Sequence, residues 1–266
     1  MADADPLDEI EFLARSANRI EVLAALADSP HTRQALAEKI GVSQPTLGRI
    51  LRDLSERQWV RTDGERYHAT GTGRLVATGI TDLRERLVTE AKLREIIEWF
   101  PSDAVDVGLN HFADARITMP TQTRPNAPIK RMVELLGETD RALLLSHAFN
   151  EQKLRVVHDR TVSGDLTTRG VFGKEAIEAI TTTADLRDLL ADIVASEAAE
   201  IRVVTEEIPV AIELTDDRTH LLLRGDEGIV RASLDTDDAA VREWAERLHE
   251  SYWNAGQVLS PDELGD

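Results

Sequence analysis

Residues 32–54 read TRQALAEKIGVSQPTLGRILRDL. Thr32 is placed to cap a short helix over 33–40, and Gly41 to end it, because glycine enters the left-handed conformation of a helix C-terminus without a Cβ clash. Ser43 then caps a second helix, with Pro45 in its first turn, where a missing N–H is harmless. Leu47, Ile50, Leu51 and Leu54 recur at i, i+3, i+4 and i+7, the buried stripe of a helix expected to run to residue 58. Two short helices separated by a tight glycine-containing turn make a helix-turn-helix. Opposite the stripe, the second helix shows Pro45, Arg49 and Arg52, flanked by Thr46 and Asp53. That face is small and polar at its start and cationic further on, as a helix entering the major groove of duplex DNA requires.

Outward from this stretch the pattern stays consistent. Residues 5–27 are expected to be helical with a break near Ser16, which can cap the second piece; Ile10, Leu13, Ile20, Leu23 and Leu26 supply the apolar stripe, and Ser29-Pro30 stops it. Residues 59–62 and 66–70 predict two short strands around Asp63-Gly64-Glu65, a hairpin wing. The candidate DNA contacts are therefore Arg33, Ser43, Gln44, Pro45, Thr46, Arg49 and Arg52 from the helices, with Arg61, Arg66 and Tyr67 from the wing. Ser43 and Gln44 sit at a helix N-terminus that favours a phosphate, and Gln44 can alternatively contact adenine. His68 is as readily a packing residue as a contact.

Charge sharpens the contrast. The 266-residue chain carries −18, yet residues 31–70 hold seven Lys/Arg against five Asp/Glu, a net +2 that leaves −20 on the remainder. A phosphate-facing surface must escape the acidic bias in this way. Lys occurs only at positions 39, 92, 130, 153 and 174, and abundant Asp and Glu with scarce Lys resembles proteins of salt-loving archaea. No cysteine is present, which excludes disulfides and thiolate metal sites. No apolar run approaches the roughly 20 residues a membrane-spanning helix needs. The N-terminus MADADPLDEIEF has no basic-then-apolar pattern, so a cytoplasmic protein is expected.

The segment GVSQPTLGRILRDL, followed by ERQWV and the wing, resembles the winged helix-turn-helix domains of archaeal transcription regulators. With the opening IEFLARSANRIEVL, the chain is similar to those archaeal regulators, TrmB-like ones among them, that join this module to a C-terminal effector domain of the methanogenesis-regulator type. The resemblance is specific over about the first hundred residues and pattern-level beyond them. It implies sequence-specific transcription control by a homodimer, and a C-terminal sensor domain resembling phospholipase D.

The organisation expected is a winged helix-turn-helix over 1–72, a linker and dimerisation helix over 73–100, and an effector domain over 101–266. The linker helix is expected over 74–100, with Leu83, Leu87, Ile96 and Ile97 among its apolar positions, and Pro101 ends it. Beyond it, strands at 116–119, 142–147, 167–172, 201–205, 210–214, 220–224 and 229–234 alternate with helices at 127–136, 150–162, 174–180 and 186–195. Asp237 is expected to cap a last helix reaching residue 255. Alternation followed by a meander predicts an α/β domain with a mixed sheet, so the whole is a two-domain chain of α/β and α+β character.

Catalytic chemistry finds no support in this pattern. Phospholipase D chemistry uses His-x-Lys, and no His here precedes a Lys by two positions. There is no Walker phosphate loop, Gly71-Thr72-Gly73 lacks the third glycine of a dinucleotide turn, and His spacing offers no metal site. No cofactor is implied. Ligands of α/β sheets sit beyond the carboxyl ends of the strands, so a small polar or anionic effector is expected near His147, Asn150 and Arg169. The rival classes are a DNA-bound protein-interaction adaptor and a DNA-targeted phosphodiesterase.

Overall fold

The computed structural model describes residues 5–225 and 227–264. They fall into two compact units, Met1–Val88 and Thr89–Asp266.

The first unit opens with α1 (Pro6–Ala14) and α2 (Ala17–Asp28). Ser16 stands at the N-cap of α2, but its side chain makes no capping bond. A short strand β1 (His31–Thr32) leads into α3 (Arg33–Ile40), where Thr32 accepts the Ala35 N–H and Gly41 takes φ 74°. Then come α4 (Gln44–Glu56), β2 (Val60–Asp63) and β3 (Arg66–Ala69). The three strands are antiparallel in the order β1-β3-β2. Leu47, Ile50, Leu51 and Leu54 are all buried, as their spacing predicts, against Leu23, Leu26 and Leu36. Each such side chain stabilises the unit by about 1.5–3 kcal/mol.

α4 stops at Glu56, short of the expected residue 58. Gln58 takes φ 58°, its N–H donates to the Ser55 carbonyl and the Trp59 N–H donates back to Leu54. This is a Schellman closure made without glycine, so its left-handed residue was not legible from composition. The next helix, α5 (Gly71–Arg94), also begins earlier and ends earlier than the expected 74–100. Thr70 caps it through its Oγ1, which accepts the Gly73 N–H. A Cβ at Gly73 would collide with the Trp59 carbonyl, so only glycine lets the helix start this close to the wing.

In the second unit, Leu93, Ile96 and Phe100 enter the core, with a 3₁₀ turn at Ile97–Trp99. Ile96 is therefore a core residue rather than part of an exposed helix face. The elements follow as β4 (Arg116–Thr118), α6 (Ala127–Gly137), β5 (Arg141–Ser146), α7 (Glu151–Val162), β6 (Thr167–Gly173), α8 (Lys174–Thr181), α9 (Ala184–Ala195), β7 (Ala199–Val204), β8 (Ala211–Leu214), β9 (Thr219–Arg224), β10 (Val230–Thr236), α10 (Ala239–Ala255) and β11 (Gln257–Val258). The cap of α10 is Asp238, one residue beyond the expected Asp237. Among the described residues the strands form one sheet, β11-β7-β6-β5-β8-β9-β10-β4. The β5–β6 and β6–β7 pairs are parallel and the others antiparallel, which makes this the mixed sheet of an α/β domain. One face packs on α10 through Leu145, Val171, Ile212 and Leu221. The other packs on α6 to α9 through Leu144, Ile201, Ala211 and Leu222.

Candidate nucleic-acid interface and effector cleft

On the first unit, the geometry begins at the turn between α3 and α4. The Ser43 Oγ accepts the Thr46 N–H at 3.4 Å and lies 2.9 Å from the Thr46 hydroxyl. Arg33 crosses from α3 and donates to the Gln44 carbonyl at 2.7 Å. Its guanidinium occupies the space over Gly48 where a Cβ would stand. The two helices are thus clasped by a cation that remains on the surface, and Arg33, Ser43, Gln44 and Thr46 are brought together. Pro45, Arg49 and Arg52 are exposed, and neither arginine forms an ion pair among the described residues.

The neighbouring charges are spoken for. Arg19, a residue the sequence did not single out, meets the Asp53 carboxylate at 3.4 Å and stacks 4.0 Å over Phe12. Arg57 meets Glu9 at 2.6 Å and lies 3.5 Å over the same ring. One of the seven cations counted in residues 31–70 is therefore neutralised structurally, and so is Asp53, the acid flanking the outward face. On the outward face of α4 the uncompensated positive charge is that of Arg49 and Arg52. On the wing, the Arg61 Nε donates to the His68 Nε2 across the β2–β3 register, and Arg66 is exposed. Tyr67 packs against the core of the unit, which leaves its ring half-buried.

On the second unit, His147 follows β5 at the carboxyl edge of the sheet. It lines a cleft of about 620 Å³ together with Trp99, Glu175, Glu206, Glu207 and Arg224. Asn150 and Arg169 do not line it. The Asn150 side chain caps α7 by accepting the Lys153 N–H at 2.9 Å. Arg169 shares a strand face with Val171, toward α10, where its guanidinium lies 4.0 Å over Trp253 and 3.6 Å from Glu250. It lies four residues before Gly173, which lines the cleft, so distance along β6 separates it from that site. Arg224 was missed because a lone arginine at a strand end carries no spacing signal. Burial, and then the nearby Arg224 charge, hold the His147 imidazole below its ordinary pKa. Its Nδ1 and the Arg224 Nε are both shielded from solvent without a hydrogen-bond partner among the described residues.

Beneath the same sheet lies a charge network that no spacing along the chain anticipates. The register aligns Glu213, His220 and Asp235 across β8, β9 and β10. The Lys153 ammonium reaches Glu213 at 2.6 Å, and His220 Nδ1 reaches the other Glu213 oxygen at 2.7 Å. Arg131 grips Asp235 with two bonds of 2.9 Å, and Arg218 adds a third at 3.2 Å. Burial pushes the Glu213 carboxyl up, but Lys153 and His220 outweigh it and hold it at about 2. Asp235 is likewise lowered, with Arg131 overcoming its burial. His220 is 0% exposed, out of reach of any substrate in this structure. No group of three or more His, Asp or Glu among the described residues is arranged to hold a metal, and no described helix is long and apolar enough to cross a membrane.

Comparison with known proteins follows this division. Residues 7–92 match the family model of the HVO_A0261 N-terminal domain. Residues 125–255 match that of the middle domain of the methanogenesis regulatory protein FilR1. No curated protein matches the chain in sequence. Among solved structures, TrmBL2, described as an archaeal chromatin protein with a novel mode of DNA binding, is similar over 94% of this chain and 98% of its own, at 15% identity and a TM-score of 0.43. Nuc of Salmonella typhimurium, a phospholipase D family member, is similar over 55% of this chain and 99% of its own, at 9% identity and a TM-score of 0.42. NucT from Helicobacter pylori covers 55% of this chain and 98% of its own, at 7% identity and a TM-score of 0.43.

Proposed function

We propose that this chain, which joins an HVO_A0261-type N-terminal domain to a FilR1-type middle domain, is a sequence-specific transcription regulator that binds duplex DNA as a homodimer and responds to a small ligand. The observation that carries the DNA reading is the outward face of α4. Arg49 and Arg52 stand exposed and without acid partners among the described residues, on a chain of net charge −18 whose nearby Asp53 is already matched by Arg19. Arginine without a partner can donate to guanine or to phosphate, and the polar start of the helix can approach base edges. Arg61 and Arg66 would follow the adjoining backbone. Selection of a random duplex pool on the full chain is expected to enrich one sequence made of two half-sites about one helical turn apart. A pool recovered with no preferred sequence overturns the reading.

The pairing of two copies is assigned to α5. Leu83 and Leu87 lie one turn apart on the helix and are exposed. An apolar face of this kind on a helix is stabilised by a second copy of itself. The double variant Leu83→Glu, Leu87→Glu is expected to sediment as a monomer where the wild type sediments as a dimer, with unchanged helix content. A variant that still sediments as a dimer removes α5 from the interface.

The ligand is assigned to the cleft at His147. The walls of that cleft are built from the carboxyl ends of β5, β6, β7 and β9, the usual position for a ligand of an open α/β sheet.

A further inference from the structure

The cleft at the carboxyl edge of the second unit carries both signs of charge on an apolar floor. Its cationic groups are Arg224 and, when protonated, His147; its carboxylates are Glu175, Glu206 and Glu207. Ile208, Val210, Leu222 and Leu223 supply apolar wall. At about 620 Å³ it lies in the range of small-molecule sites.

The cations and the acids stand in different environments. Arg224 is half-buried, with one guanidinium nitrogen donating to the Gly228 carbonyl at 2.7 Å. That bond fixes the plane of the fork and leaves its Nε without a partner among the described residues. The His147 Nδ1 also lacks a partner among the described residues, and it donates only when the ring carries a proton there. A shielded guanidinium N–H without an acceptor is costly, and a carboxylate is the acceptor that a guanidinium fork matches best. The three glutamates are exposed at the rim. A ligand with several negative charges would meet three carboxylates there, whereas an ammonium would be attracted by them.

We infer that the cleft binds a small amino-acid-like zwitterion, its carboxylate on Arg224 beside His147 and its ammonium toward the rim glutamates. The inference rests on the ligand-responsive reading above and specifies the chemistry of its ligand. The α-carboxylate sits deeper because Arg224 is half-buried and the glutamates are exposed. The ammonium stays at the mouth, where Glu206 and Glu207 remain hydrated until it arrives. The apolar wall of Leu222, Leu223 and Val210 is left for the ligand's side chain, so selectivity among amino acids would be set there.

The test uses the full chain and its selected duplex. Thermal unfolding is followed with the standard free amino acids at millimolar concentration, each beside its decarboxylated amine and its deaminated acid. At least one amino acid is expected to raise the melting temperature by roughly 5–10 °C at about a hundredfold its Kd, while its amine and its acid do not. Arg224→Met and, at the exposed rim, Glu207→Gln are each expected to reduce that shift while the unliganded variants unfold as cooperatively as the wild type. Shifts produced by the amines or the acids alone, or an amino-acid shift that both variants keep, overturn the zwitterion assignment and leave the regulator reading standing. A zwitterion that shifts melting but leaves DNA affinity unchanged supports the site and overturns its role as a sensor. The absence of a shift from every compound overturns the zwitterion, and DNA affinity, measured on the same preparation, reports separately on the regulator.

Discussion

Replacing Arg49 with Ala is expected to weaken binding of the full chain to its selected duplex by about 5- to 150-fold, the equivalent of about 1–3 kcal/mol for a bidentate contact to a base. The basis is position and freedom. Arg49 lies in the first half of α4, on the face opposite Leu47, Ile50, Leu51 and Leu54, and has no acid partner among the described residues. Its removal leaves the fold intact, because an exposed substitution away from a packed contact changes stability by only about 0.5 kcal/mol. Titration of a fluorescent duplex at fixed salt measures the loss directly. Arg49→Lys should recover only part of it, since an ammonium cannot reproduce the planar fork. Arg57→Ala provides the contrast. Arg57 is held by Glu9 and by the Phe12 ring, so its loss should lower the melting temperature of the first unit and spare sequence preference. If Arg49→Ala binds within about twofold of the wild type, α4 is not the reading helix; a twofold change corresponds to only about 0.4 kcal/mol.

Replacing Lys153 with Ala is expected to destabilise the second unit by about 3–5 kcal/mol, because it leaves Glu213 buried without its ammonium. Lys153 is 6% exposed and Glu213 1%, so water cannot take the place of the lost partner. The melting temperature of that unit should fall by roughly 10 °C. The paired variant Lys153→Met, Glu213→Gln should recover much of the loss, since neither buried charge then stands alone and the volumes are nearly kept. A paired variant no more stable than Lys153→Ala would show that packing, and not the charge, holds α7 to the sheet. The same network sets an acid limit. The Glu213 pKa is about 2 in the folded chain against an ordinary 4.5, so its contribution is complete above 4.5 and is lost as the pH falls toward 2. Asp235 is lowered too and acts in the same direction. Wild-type stability should therefore decline across that window, and Glu213→Gln should decline less steeply within it.

Local chemistry determined a large part of this molecule. The caps at Thr32 and Ser43, the glycine at 41 and the stripe of α4 act over four or five residues, and each appears where the pattern placed it. The strands of the second unit were legible for the same reason, since buried runs such as ALLL and HLLL sit between turn residues. The short strands β1 and β11 were not, because two residues carry no period and exist only through their partners β3 and β7. The left-handed Gln58 closure likewise needed Trp59 and Leu54 in place.

The helix-turn-helix that opens the chain was thus determined by sequence alone, together with the face that α4 turns outward. The tertiary structure decided which charges on that face remain free. Arg19 and Asp53 are 34 residues apart and Arg57 and Glu9 are 48 apart, and no local pattern predicts that folding will pair them. Sequence also placed His147 at the carboxyl edge of a strand. Only the sheet could give it Arg224 as a neighbour and seat Arg169 against Trp253, away from that edge. Caps and periodicity follow from the bonds of adjacent residues, whereas strand order and charge pairing are fixed only when distant segments share one core.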